Sequence, residues 1–184
     1  MKYPAPGATA EAKQLAIEQH LKVDHQWGLD HGAWSVLRHL YPQADVPVLQ
    51  LSLDHEKTLG EHVALGKEMH KLRERGVLIL GSGNLVHNLH RINWEMPDSG
   101  YPWAVEFDGQ VKRAMQERDL GSLAAPDRWG SVLLGEAHPT LEHYAPVLYC
   151  LGATGENDEV SFPYEGMEFG TISMRMAMFS SRVA

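Results

Sequence analysis

One cysteine, Cys150, stands in 184 residues. An intramolecular disulfide and a cysteine-rich zinc finger are therefore excluded, and a reducing, cytoplasmic setting is expected. Positive charge is also scarce: 16 Lys and Arg against 24 Asp and Glu give a net charge of −8. With no basic cluster, the chain lacks the electrostatic footprint of a protein that binds nucleic acid or an anionic membrane. No apolar run approaches a membrane span, and the N-terminus has no signal-peptide core. Internal repeats, low-complexity tracts and linkers are missing too, so residues 1–184 read as one domain.

What is present is ordinary globular composition, 43% apolar and 22% charged, in which disorder is not expected. Histidine is the exception, with 11 copies at His20, His25, His31, His39, His55, His62, His70, His87, His90, His138 and His143. So many make chance pairings common, and none forms the helical zinc-protease motif.

Periodicity orders the chain. An alanine-rich helix is predicted around Ala10, Ile17 and Leu21, after a proline-containing opening. "VPVLQLSL" (Val46–Leu53) predicts a strand. Leu59, Val63, Gly66, Met69 and Leu72 recur at helical spacing, with Gly76 placed to end the helix. The continuous apolar run Val77–Leu80 predicts a strand covered on both faces. Together these form a βαβ unit with two parallel strands. Helices are further expected within Tyr101–Leu120, after Pro102, and across Thr140–Gly155, with Pro146 near the first turn. Ile172, Met174, Met176 and Met178 alternate with Thr171, Ser173, Arg175 and Ala177, the signature of a half-covered strand whose methionines pack in the core.

The run "LILGSGNLVHN" sets the functional question. Gly81 and Gly83 break a buried strand, and His87 follows just beyond its carboxyl end, where open α/β sheets bind ligands. A capping or surface histidine in an ordinary βα loop is the competing reading.

Three stretches, "GLDHGAW" (Gly28–Trp34), "SGNLVHN" (Ser82–Asn88) and "HPTLEHYAPVLY" (His138–Tyr149), occur in this order with "YPWA" (Tyr101–Ala104) between the last two. Together they resemble the class III extradiol ring-cleavage dioxygenases, in the 4,5-DOPA extradiol dioxygenase-like branch. Each motif alone is weak, and the four in order are specific. The resemblance spans essentially the whole chain, including "VPVLQLSLD" and "YEGMEFGTISM". It implies an α/β fold with a mixed central sheet and helices on both faces, lacking the family's N-terminal strands. Members of that branch carry "GHGSP" and "SAHW" motifs near their start, each supplying a metal-binding histidine, and neither occurs here. The chain therefore resembles the C-terminal two-thirds of such an enzyme, and is expected to be inactive alone and to associate through uncovered sheet edge and apolar surface.

The resemblance implies chemistry on an aromatic diol and O₂ at one divalent metal, Fe(II) or Zn(II). It assigns His143 as a metal ligand and His87 as either a ligand or the base beside the metal. A neutral imidazole near pH 7 suits removal of a catechol proton. His31, in "DHGAW", becomes a second catalytic residue, facing substrate and stabilising developing negative charge. Asp30 reads as a helix cap more readily than as a partner for a ring nitrogen. Glu142 falls in the first turn of a helix begun at Thr140, where the dipole favours a carboxylate, or supports a metal histidine. The family's usual proline is replaced by Leu141. His138 is read as structural, Trp34, Trp94 and Trp103 as core or pocket wall, and the remaining histidines as solvated or packing residues. A noncatalytic metal-binding or interaction domain is the alternative. A zinc hydrolase ranks below both, for lack of a hydrolase motif.

Overall fold

The computed structural model describes residues 26–181. The helix expected around Ala10, Ile17 and Leu21, together with His20 and His25, lies outside the described residues. The fold is α/β, the class expected. Helix α1 (His31–Leu40) starts at Asp30, whose carboxylate accepts the Ala33 N–H at 2.9 Å, so Asp30 is a cap. Helix α2 (Leu59–Arg73) opens on a capping box. The Glu61 N–H donates to the Thr58 hydroxyl at 3.3 Å, and the Thr58 N–H donates to the Glu61 carboxylate at 2.8 Å. Gly76 follows at φ 78°, where the chain turns away.

Helix α3 (Pro102–Glu117) carries its proline at the first position, where no N–H is needed. Short helices follow: α4 (Leu120–Leu123), α5 (Ser131–Ala137) and α6 (Ala145–Gly152). Ala104, Phe107, Val111, Ala114 and Met115 line one face of α3 and build the core with Val86, Leu123, Tyr144 and Leu148. Burying each large side chain contributes about 1.5–3 kcal/mol. Tyr144 is fully buried and donates its hydroxyl to the Leu123 carbonyl at 2.9 Å, so the core tolerates the phenol.

Helices α2 and α6 meet at two glycines. A Cβ on Gly66 would lie 2.5 Å from the Tyr149 carbonyl, and one on Gly152 would lie 2.4 Å from the Val63 carbonyl. Their absent side chains let the backbones touch, which fixes α6 and the residues that lead into it.

Among the described residues, four strands form two antiparallel pairs. β1 (Asp158–Tyr164) pairs with β4 (Met176–Ser181), with an irregularity between Ser161 and Tyr164. β2 (Met167–Glu168) pairs with β3 (Ile172–Ser173).

Several expectations are corrected. Val46–Leu53 and Val77–Leu80 run without helix or ladder, so no parallel βαβ pair forms among the described residues. A strand requires a neighbour to satisfy its N–H and C=O groups, and apolar composition does not supply one. Nor is Val77–Leu80 covered on both faces: Val77 and Ile79 are half-buried, while Leu78 is 65% exposed. The helix expected from Thr140 starts at Ala145, after a turn, with Pro146 in its second position. Glu142 therefore lies before the helix and accepts the Thr140 hydroxyl at 2.7 Å.

The methionine row also faces the other way. Met174, Met176 and Met178 are exposed, while Thr171, Ser173, Arg175, Ala177 and Phe179 point inward. The inward place of Arg175 is stabilised by a buried ion pair with Asp108 of α3. The alternation of period two is present, but across two short strands, β3 and β4, with Arg175 between them, and the faces are reversed.

Candidate active site

The loop Gly81–Asn88 lies against the turn that leads into α6, and glycine makes the approach possible. A Cβ on Gly83 would stand 2.2 Å from the His143 carbonyl, and one on Gly81 would stand 2.7 Å from the Pro146 carbonyl. These glycines thus admit backbone rather than an aromatic ring. Consecutive loop residues are then tied down. The Asn84 N–H donates to the His143 carbonyl at 3.0 Å, and the His87 N–H donates to the Ala137 carbonyl at 2.9 Å. The Val86 carbonyl accepts the Ser173 N–H at 3.0 Å, and His87 bridges Ile172 of β3.

The result brings two predicted residues face to face. The rings of His87 and His143 stack with centroids 3.5 Å apart and planes 5° from parallel. Burial holds the His87 imidazole below its ordinary pKa, as does the neighbouring His143, and Glu142 opposes them. His143 is lowered by burial and by His31, again against Glu142. Both rings are therefore neutral near pH 7, the form that binds a metal or accepts a proton.

His31 lies near enough to His143 to lower its pKa. It occupies the first position of α1, and the Ser82 hydroxyl donates to the Gly32 carbonyl at 2.7 Å, tying that helix end to the loop. Trp34 meets the His31 ring edge-on with centroids 5.4 Å apart. The structure thus gathers His31, His87 and His143. Trp103 packs against the core, and Trp94 is exposed beside Phe169.

Two hydrogen bonds define what His143 presents. The Asn84 amide nitrogen donates to the Ser173 carbonyl at 2.8 Å, which leaves its Oδ1 as the atom 3.0 Å from His143 Nδ1. An amide oxygen only accepts, so His143 Nδ1 carries the proton and Nε2 the lone pair. A neutral imidazole with a free Nε2 suits a divalent transition metal, and the residues present fit part of such a site. Among the described residues no group of three His, Cys, Asp or Glu side chains is placed to hold a metal.

His138 is structural, as expected, and it supports the loop. It is buried, its Nε2–H donates to the Leu85 carbonyl at 2.8 Å, and burial pushes its pKa down to about 4. Cys150 is ruled out as a nucleophile, because burial raises its thiol to about 11. His62, read as solvated or packing, is buried against the Tyr149 hydroxyl at 2.7 Å, while His39, His55 and His90 are exposed. The residue that sequence reasoning passed over is Asn84. Its pairing with a histidine 59 positions away leaves no spacing signal, although a polar residue between Gly83 and the buried Leu85 is a hint.

A neutral histidine on a glycine loop stacks on one from the turn before α6, with a histidine at a helix start near them, and such a cluster is suited to metal-assisted or base-assisted chemistry. Residues 5–180 match the catalytic LigB subunit of aromatic ring-opening dioxygenase. The chain is 38% identical over 182 residues to the 4,5-DOPA dioxygenase extradiol of Escherichia coli strain K12, covering 94% of this chain and 65% of that one. It is 34% identical over 193 residues to the enzyme of the same name from Portulaca grandiflora, covering 98% and 69%. The crystal structure of an uncharacterized Escherichia coli K12 protein superposes with a TM-score of 0.87 at 36% identity, over 96% of this chain and 75% of the other. The chain belongs to the LigB family of aromatic ring-opening dioxygenases. It spans about two thirds of the length of these curated relatives.

Proposed function

We propose that this chain carries part of the active site of a metal-dependent extradiol dioxygenase that opens a catechol or DOPA-like aromatic diol with O₂. The observation that carries the reading is the stack of His87 on His143, both neutral, with His31 near His143, in a chain of this family. The named activity of the relatives from Escherichia coli and Portulaca grandiflora supports the substrate class. In this reading residues 1–184 form one domain, equivalent to the C-terminal two-thirds of the dioxygenase domain. No described helix is long and apolar enough to cross a membrane, and with a single, half-buried cysteine the proposed setting is cytoplasmic. Self-association through exposed apolar surface belongs to the same proposal.

His143 would hold the metal through Nε2, and His87 would be either a second ligand or the base. A bound Fe(II) would supply the redox chemistry that lets O₂ react with a closed-shell diol, and Zn(II) is the alternative occupant. At least one further ligand comes from outside the described residues, since a catalytic site uses about three. As a base, His87 takes the second catechol proton on a ring nitrogen that burial keeps unprotonated. His31, with the positive end of α1 behind it, donates a hydrogen bond to negative charge as it develops on the substrate.

Anaerobic Fe(II) reconstitution of an N-terminally extended enzyme that carries the family's upstream histidine motifs, followed by a catechol panel watched for the yellow ring-opened semialdehyde, tests the reading, and the substitutions below are made in that enzyme. His31→Ala should cut ring opening by about 10² to 10⁴ while metal content holds. His143→Ala should empty the site of metal. Equal loss of metal and activity in His31→Ala would move His31 into the ligand set. A noncatalytic metal-binding domain is the second reading, favoured by the absence of a three-ligand group among the described residues. Metal uptake with no product from any catechol would select it.

A further inference from the structure

We propose that Asn84 is a positioning residue that holds His143 in the Nδ1–H tautomer and keeps its Nε2 lone pair free. Asn84 is itself held by the buried Ser173–Asp108–Arg175 network. The argument begins at a backbone carbonyl. Ser173 O can only accept, so the Asn84 atom 2.8 Å from it is the NH₂ group, and the side-chain amide has a single orientation. Its oxygen faces His143 Nδ1 at 3.0 Å. The Asn84 N–H also donates to the His143 carbonyl at 3.0 Å, so residue 84 grips residue 143 by side chain and backbone together.

Behind Asn84 the support is continuous. Ser173 is 1% exposed, its N–H donates to the Val86 carbonyl at 3.0 Å, and its hydroxyl donates to Asp108 Oδ1 at 2.7 Å. Asp108 in turn accepts from Arg175 Nε at 3.1 Å through both oxygens, in a pair whose side chains are 8% and 7% exposed. The charge pair between Asp108 on α3 and Arg175 just before β4 thus anchors the carbonyl that orients the amide that orients the ring.

The neighbouring imidazole shows that this is a choice. His138 donates from Nε2 to the Leu85 carbonyl, so it holds the opposite tautomer, and its Nδ1 has no partner among the described residues. Two histidines five positions apart are therefore locked in opposite senses by two different oxygens. Only the Asn84 arrangement leaves the distal nitrogen of His143 as an electron-pair donor. That this nitrogen meets a metal rests on the proposed function, whereas the tautomer does not.

The test is long-range ¹H–¹⁵N correlation of histidine rings in the metal-free 184-residue chain, at alkaline pH, with the His143 signals assigned by their loss in His143→Gln. The expected pattern is Nδ1–H for His143, Nε2–H after Asn84→Ala, and Nδ1–H again after Asn84→Asp, which keeps an acceptor oxygen. An Nε2–H tautomer in the unsubstituted chain overturns the proposal, whatever the variants do. So does an unchanged Nδ1–H tautomer in Asn84→Ala. Zn²⁺ titration adds a second readout, with binding about 10- to 100-fold weaker in Asn84→Ala. A chain with the Nδ1–H tautomer and no measurable Zn²⁺ affinity would uphold the role of Asn84 and count against the proposed metal chemistry instead.

Discussion

The loop Gly81–Asn88 and the stretch Val46–Leu53 exchange the roles their compositions suggest. The first is rich in glycine and polar residues, yet residues 84–87 each make a hydrogen bond that locks them to the turn before α6, to α5 or its C-cap, or to β3. The second has the β-branched and leucine content of a strand. Its Gln50 Oε1 accepts the Asp30 N–H at 2.8 Å, a side-chain contact and not a ladder bond. Local order thus follows partners rather than propensity. Where carbonyls, amides and imidazoles find one another, a glycine loop becomes rigid, and where no ladder neighbour is present an apolar run stays merely extended.

The largest expected effect comes from cutting the anchor of the ordered region. Asp108→Ala leaves the buried Arg175 guanidinium without its principal partner and should lower stability by about 3–5 kcal/mol in urea unfolding. Asp108→Leu combined with Arg175→Met should recover most of that loss, because the isolated charge and not the missing pair is costly. A loss below about 1 kcal/mol for Asp108→Ala would mean that the network does not hold the loop.

Next in size is a pH effect at His138, which pins the loop from below. Its unfolded value is the ordinary 6.5, and its folded value is about 4 through burial. Between those values the unfolded chain binds more protons, so stability is complete above about pH 6.5 and declines as pH falls toward 4. The loss should be on the order of 3 kcal/mol, with His87 and His143 adding in the same direction. Urea midpoints measured across that range should fall less steeply in His138→Gln. An identical slope would show that His138 is not the group involved.

How much of this was legible in the sequence divides along the same line. Capping by Asp30, the capped helix ended near Gly76 and the proline-led α3 all depend on residues within a few positions of one another, and each was readable. His31, His87 and His143 could be named from motifs, and the structure gathers them. What could not be read depends on distant partners. Arg175, just before β4, turns inward to Asp108, 67 residues away, and the methionines on either side of it turn outward against expectation. The role of Asn84 depends on His143 and Ser173, each far along the chain.

The smallest expected effect sharpens the contrast from the other side. Leu78, 65% exposed in an unpaired segment, should tolerate Leu78→Ser with a change within about 0.5 kcal/mol by the same urea assay. A loss above about 2 kcal/mol would mean that this stretch is packed on something, and that it is as partnered as the loop.

The central claim is that a metal sits at His143 with His87 beside it as second ligand or base, and its most direct measurement is anaerobic titration of the chain with Fe(II), followed by paramagnetic broadening of assigned histidine ring signals. The expected result is that His87 and His143 broaden first, with His31 next, while the exposed His39, His55 and His90 stay sharp. Broadening that begins at the exposed histidines, or spreads evenly over all of them, would contradict the claim.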